Sequence, residues 1–129
     1  MVWVSSWFDP GKERDAALAL ISQGCDVLLQ NTDSPAVVQA AKQKGVWGLG
    51  WNSDMGKFGG DAQLAAAVLH WDPIYEKVLK DVAANKWTNA PIYYGVKEGT
   101  VNVENIGKAV SADAKKMVLA RRDALRQVN

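Results

Sequence analysis

Asp9-Pro10 and Ser34-Pro35 are the features that most restrict the fold: each sets a side-chain oxygen before a proline, between a short apolar run and a later glycine. The missing proline N–H costs nothing in the first turn of a helix, and the preceding oxygen can cap that turn, so each pair starts a helix. The first predicted helix carries Ala17, Leu18, Leu20 and Ile21 on one stripe and stops at Gly24. The second carries Val37, Val38 and Ala41 and stops at Gly45, where glycine tolerates the left-handed conformation that ends a helix. The flanking apolar runs, Val2 to Val4, Val27 to Leu29 and Val46 to Leu49, read as strands. Strand, capped helix, glycine, repeated twice and closed by a third strand, makes two right-handed crossovers and therefore a parallel sheet. With 129 residues, 48% of them hydrophobic, one such domain with its own core fits and two do not.

Beyond the third strand, Met55 to Gly60 reads as a flexible link. A helical pattern then runs from Asp61 to about Lys86, and Pro73 inside it predicts a kink or a split near Trp71. Pro91 to Val96 reads as a fourth strand, Thr100 to Val103 as a short fifth, and Ala112 to Val128 as a closing helix capped by Ser111. The expectation is one α/β unit over 1–129, a Rossmann-like parallel sheet with helices on both faces.

Each of the first three apolar runs ends in aromatic and hydrogen-bonding residues: Ser5-Ser6-Trp7-Phe8-Asp9, Gln30-Asn31-Thr32-Asp33-Ser34 and Trp51-Asn52-Ser53-Asp54. In open parallel sheets ligands sit outside the carboxyl ends of the strands, so these ends would converge on one small polar ligand. The indole of Trp7 can lie flat against a planar heterocycle while Asp33 and Asp54 fix the ring through its N–H groups. The bland alternatives are that Trp7 packs on the sheet and that Asp54 merely closes an Asx-turn. Trp3, Trp47 and Trp87 read as packing, whereas Trp51 and Trp71 fit either role.

Other functions lack their equipment. Fifteen Lys plus Arg against fourteen Asp plus Glu, scattered along the chain, give no footprint for nucleic acid. The longest apolar runs fall far short of the roughly 20 residues that span a bilayer, and no signal segment is legible before Val2, so the chain reads as soluble and unaddressed. The single Cys25 excludes an internal disulfide and a thiolate metal site, and reads as a small buried thiol. His70 is the only histidine, it stands far from any nucleophile elbow, and no G-x-S-x-G occurs, so it reads as structural or ligand-contacting. Gly48 and Gly50 lack the third glycine of a dinucleotide fingerprint, and no phosphate-cradling G-x-x-x-x-G-K-[ST] is present. Neither catalysis nor a cofactor is expected.

Trp7-Phe8-Asp9-Pro10, the stretch from Leu20 to Val27, Asn31-Thr32-Asp33-Ser34-Pro35 and the block from Gly50 to Phe58 together resemble the basic membrane protein family. These are the PnrA-like substrate-binding lipoproteins of purine nucleoside ABC importers. The likeness continues through His70-Trp71-Asp72-Pro73-Ile74-Tyr75 and the stretch from Tyr93 to Gly99. It implies a type I periplasmic binding protein fold of which this chain is the carboxy-terminal part. It also implies a missing amino-terminal lobe as the other wall of the cleft, a permease as transport partner, and a periplasmic or membrane-anchored parent. Position by position, Trp7 looks like the aromatic that stacks on a purine base, Asp33 lies in the loop at the base edge, and Asp54 matches the acid that holds sugar hydroxyls or a ring N–H; Asn31, Trp51, His70 and Trp71 complete the expected site. The chain departs at Asn52, where the family often has Asp, and around Leu69, where nucleoside binders tend to carry a cation and only His70 is near. A free base such as adenine therefore fits as well as a nucleoside.

Two other readings remain open. Length, the βα repetition, Asp54 after the third strand and Lys97 after a later one also fit a phosphoacceptor receiver, although that chemistry needs adjacent acids at the first strand's tip to hold Mg²⁺ and the chain offers Ser5-Ser6-Trp7. Alternatively the chain is inactive in binding and forms a homodimer through apolar surface along Leu64, Val68 and the Trp71 region.

Overall fold

The computed structural model describes residues 1–128. Its elements in chain order are helix α1 (Pro10–Ser22), strand β1 (Val27–Leu29), helix α2 (Ala36–Lys44), strand β2 (Trp47–Asn52), the one-turn helix α3 (Gly56–Gly59) leading into a 3-10 turn (Gly60–Ala62), strand β3 (Gln63–Leu69), helix α4 (Asp72–Ala83), strand β4 (Val101–Glu104) and helix α5 (Ala112–Arg126). The sheet order is β1-β2-β3-β4; the first three strands are parallel and β4 adds to the edge antiparallel to β3. The α/β class is the one the alternation predicts, and the expected all-parallel sheet is corrected to a mixed one, because β4 returns to pair antiparallel with β3. None of the helices is long and apolar enough to cross a membrane, among the described residues.

Both expected helices form, the first with the cap its sequence predicts. Asp9 caps α1 by accepting from the Lys12 N–H at 3.0 Å. α2 departs from its expected cap: Pro35 stands at the N-cap position with no side-chain cap, and Ser34, one residue further out, accepts from the Ala36 N–H at 3.3 Å while its hydroxyl donates to Glu13. Gly45 ends α2 at φ 69°, the left-handed conformation expected of it. The core lies between these two helices and β1: Ala17, Leu28, Val37, Ala40 and Ala41 are buried, with Leu20, Ile21, Cys25 and Val46 packed against them. Gly48 lets α2 sit close on the sheet, since a Cβ there would stand only 3.3 Å from a Val38 methyl.

Strand alternation sends Leu28 and Gly48 toward α2 and turns Val27, Leu29 and Trp47 to the opposite face. These three remain 39%, 75% and 39% exposed, and α4 and α5 bury none of their residues. The described residues thus cover one face of β1 and β2 with helices and leave the other open.

Several sequence expectations are corrected. Residues 2–4 form no strand, and Met1, Val2 and Trp3 are exposed; an extended run needs a neighbouring strand to hydrogen-bond with, and none pairs with it. The helix expected from Asp61 to Lys86 is a strand followed by a helix. Its alanine-rich first part has helical propensity, but β3 pairs with β2 on one side and β4 on the other, and that pairing prevails. Pro73 consequently lies in the first turn of α4, where it starts a helix instead of kinking one. Residues 91–96 form no strand. The short last strand falls one residue later than expected, and α5 stops at Arg126 with Ser111 as its cap, accepting from Ala114 N–H at 3.2 Å. Val68 is buried in the sheet and Leu64 half-buried, so neither offers the apolar surface foreseen for self-association.

Candidate functional site

Parallel pairing of β1, β2 and β3 places their carboxyl ends on one edge, where residues 30–34, 52–54 and 70–71 leave the sheet. Residues 5–9 reach the same edge without a strand to carry them, because the Asp33 N–H donates to the Trp7 carbonyl at 2.8 Å. From there the links continue sideways. The Asn52 amide donates to Asp33 Oδ1 at 3.2 Å. Two residues further on, Asp54 Oδ1 accepts from the Gly56 N–H at 3.0 Å and from Gln63 Nε2 at 2.8 Å, while Oδ2 accepts from Asn105 Nδ2 at 2.6 Å. Trp7, Asp33 and Asn52 are therefore linked at the carboxyl edge, and Asp54 follows Asn52 by two residues, with its carboxylate drawn back toward Gln63 at the start of β3 and Asn105 just past β4.

Trp7 does not pack on the sheet: its side chain is 71% exposed, with Phe8 beside it at 64%. Asp54 does close an Asx-turn through Gly56, and it also carries two longer-range bonds that such a turn does not need. The Gln63 amide holds the Asp54 carboxyl below its usual range, helped by the Gly56 N–H and the Asn105 amide, while partial burial pushes the other way more than either of those two helpers pulls. Asp54 is thus held as an anionic acceptor. Backbone strain collects there too. Of the four non-glycine residues at positive φ among the described residues, Ser5, Asn52 and Asn105 flank this border at 51°, 65° and 47°. Asn tolerates that region better than most residues, and strain of this kind persists where surrounding contacts hold it.

The remaining expected residues divide. Asn31 is exposed in the loop beyond β1. His70 follows β3, but its Nε2 lies 2.7 Å from Glu104 Oε1, which also accepts from Asn102, so the ring is tied to β4. Trp71, 53% exposed, stacks on Tyr75 with ring centroids 6.5 Å apart at the start of α4. Trp51 is half-buried within β2, on the face turned away from α2, and belongs to the sheet and not to the loops beyond it. Two partners of the site were not read from sequence. Gln63, a lone amide opening an apolar run nine residues after Asp54, and Asn105, just past the last strand and 51 residues away, both meet Asp54. Among the described residues no cluster of three or more His, Cys, Asp or Glu could hold a metal ion. One concave depression, lined by Lys42, Gly45, Val46, Trp47, Gly60 and Asp61, lies at the opposite ends of β2 and β3 from this border.

Comparison with known proteins gives a consistent picture. Residues 1–126 match the family described as ABC transporter substrate-binding protein PnrA-like. A purine-binding protein of Brucella abortus is 48% identical over 103 residues, covering 80% of this chain and 29% of the relative. A putative ABC transporter glucose-binding protein of Haloferax volcanii, TsgA13, is 38% identical over 123 residues, 95% of this chain and 32% of the relative. This chain therefore spans about a third of the length of those relatives. Among solved structures, a transcriptional activator of the comK gene from Bacillus halodurans superposes with a TM-score of 0.87 at 24% identity, covering 98% of this chain and 45% of that one. An ABC transporter solute-binding protein from Conexibacter woesei does so with a TM-score of 0.72 at 21% identity, covering 96% and 42%. At those identities the superpositions speak for the fold.

Proposed function

The chain belongs to the PnrA-like family of ABC transporter substrate-binding proteins, and from that premise we propose that it forms one wall of a ligand cleft that takes a purine base or nucleoside against Trp7. The observation that carries this reading is the linked border itself: an exposed indole, an acid bonded through its backbone to the indole's loop, and a second acid held in place by Gln63 and Asn105. A flat nitrogenous ring stacks on the indole face, and its N–H groups or a ribose hydroxyl donate to Asp33 and Asp54. The purine-binding relative supports the ligand class. No covalent step is required, so the role is binding without catalysis, and family membership replaces the receiver alternative.

The opposite wall comes from an amino-terminal lobe outside this chain, in keeping with the third of the relatives' length that it spans. In the whole protein the closed cleft delivers its ligand to a membrane permease driven by a separate ATPase, on the extracytoplasmic side, with the protein lipid-anchored or periplasmic. With Asn52 turned to Asp33 and His70 to Glu104, neither is free to meet a ribose, which favours a free base. The glucose-binding relative motivates the competing ligand, since an indole face and two carboxylates also suit a sugar.

Isothermal titration separates these. Adenine is expected to give weak heat with this chain alone and strong heat once the amino-terminal lobe is joined to it. Preference of the joined protein for glucose or a pyrimidine over every purine would overturn the ligand assignment.

A further inference from the structure

Glu13, 1% exposed, heads the large side chains that are fully buried among the described residues, an unusual place for an acid. A carboxylate is kept out of water at acceptable cost only where hydrogen bonds replace its hydration, and here they do. Oε1 accepts from the Asp9 N–H at 3.0 Å; Oε2 accepts from the Thr32 hydroxyl at 2.8 Å and from the Ser34 hydroxyl at 2.6 Å. These donors belong to two separate loops, the one that leads from Trp7 into α1 and the one that carries Asp33 from β1 into α2. The cap of α1 is already supplied by Asp9, so the helix alone does not require the acid.

The second loop is folded around this contact. Gln30 Nε2 donates to the carbonyls of Thr32 at 2.7 Å and Ser34 at 2.8 Å, curling residues 30–34 so that both hydroxyls turn inward to Glu13. Asp33, between them, is left facing out, with its N–H on the Trp7 carbonyl. We infer that Glu13 is a positioning residue of the ligand border: its carboxylate sets the loop of Trp7 against the loop of Asp33 without itself meeting the ligand. The inference rests on the reading of that border as the ligand wall.

The test measures amide exchange by NMR on the full chain, together with adenine affinity. In Glu13→Ala the three donors lose their acceptor, and the Asp33 amide should exchange roughly tenfold faster while Leu49 and Ala67 in the sheet keep their protection. Glu13→Gln keeps an oxygen for the Asp9 N–H and lets the hydroxyls reverse, so its effect should be intermediate. Adenine affinity should fall in the same order, by about tenfold for Glu13→Ala. If Glu13→Ala does not fold, Thr32→Val, which removes one donor only, should show the same local acceleration to a smaller degree. Unchanged exchange at Asp33 in the folded variants would overturn the inference. So would faster exchange with affinity equal to that of the parent. A parent chain, joined to its amino-terminal lobe, that binds no adenine would instead reject the ligand reading, and the exchange data would still decide whether Glu13 clamps the two loops.

Discussion

Asp54 accepts from a side-chain amide on each of its oxygens, Gln63 on one and Asn105 on the other, and each of the two is within reach of a simple truncation. Because Gln63 is the foremost cause of the lowered Asp54 pKa, Gln63→Ala should move its titration midpoint up toward the ordinary 3.8 by more than Asn105→Ala does. Carbon-detected NMR titration of the carboxyl reads this directly, and an unmoved midpoint in both variants would contradict the geometry. The sign for stability follows. A carboxyl held below its unfolded value stabilises the fold above pH 3.8 and loses that contribution as the pH falls through the lower folded value, so Asp54→Asn should flatten the acid limb of the stability curve. Since Asp54 is mostly in solvent, the change is small. At this scale Trp7, Asp33 and Asp54 were legible because each terminates an apolar run, a local pattern. Their partners were not. Asn105 reaches Asp54 only through the sheet's return strand, Gln63 only because the intervening short turns fold back, and Glu13 looks in sequence like any acid in a first helical turn.

Among the elements, the segment after β4 has the tightest constraint. The Gly107 N–H donates to the Leu64 carbonyl at 2.8 Å, and a Cβ on Gly107 would stand 2.5 Å from the Gln63 carbonyl oxygen. This contact holds the segment against the start of β3 and so helps bring Asn105 to Asp54. Gly107→Ala should destabilise the chain by about 1–3 kcal/mol, because backbone must move to admit the methyl. Urea unfolding measures it, and a midpoint equal to the parent's would show that the segment is not seated there. Helices α1 and α2 were readable because the Asp-Pro and Ser-Pro signals mark where each begins to within a residue. The strand over residues 63–69 was not, because a short apolar run buried in a sheet and one buried in a helix share the same composition. Read within a helix over that run, Pro73 predicts a kink; after a strand, it starts α4. Residues 2–4 show the converse case, a strand-like run with no neighbour to pair with.

For the molecule as a whole, apolar exposure is uneven. Trp71, Tyr75, Leu79 and Val82 form an exposed stripe at helical spacing along α4, and Val27, Leu29 and Trp47 lie open on one sheet face. Surfaces of this kind suit cover by further structure, in keeping with the chain's third share of its relatives' length. The border proposed to meet the ligand is open in the same sense, with Trp7 and Phe8 in solvent. Such a wall should bind weakly alone, and NMR detects weak binding residue by residue. The most direct measurement is therefore a two-dimensional amide titration of this chain with adenine. The account predicts shifts gathered on Trp7, Asp33, Asn52 to Asp54 and Asn105. Shifts gathered instead around Lys42, Trp47 and Asp61, at the opposite ends of the strands, would contradict it.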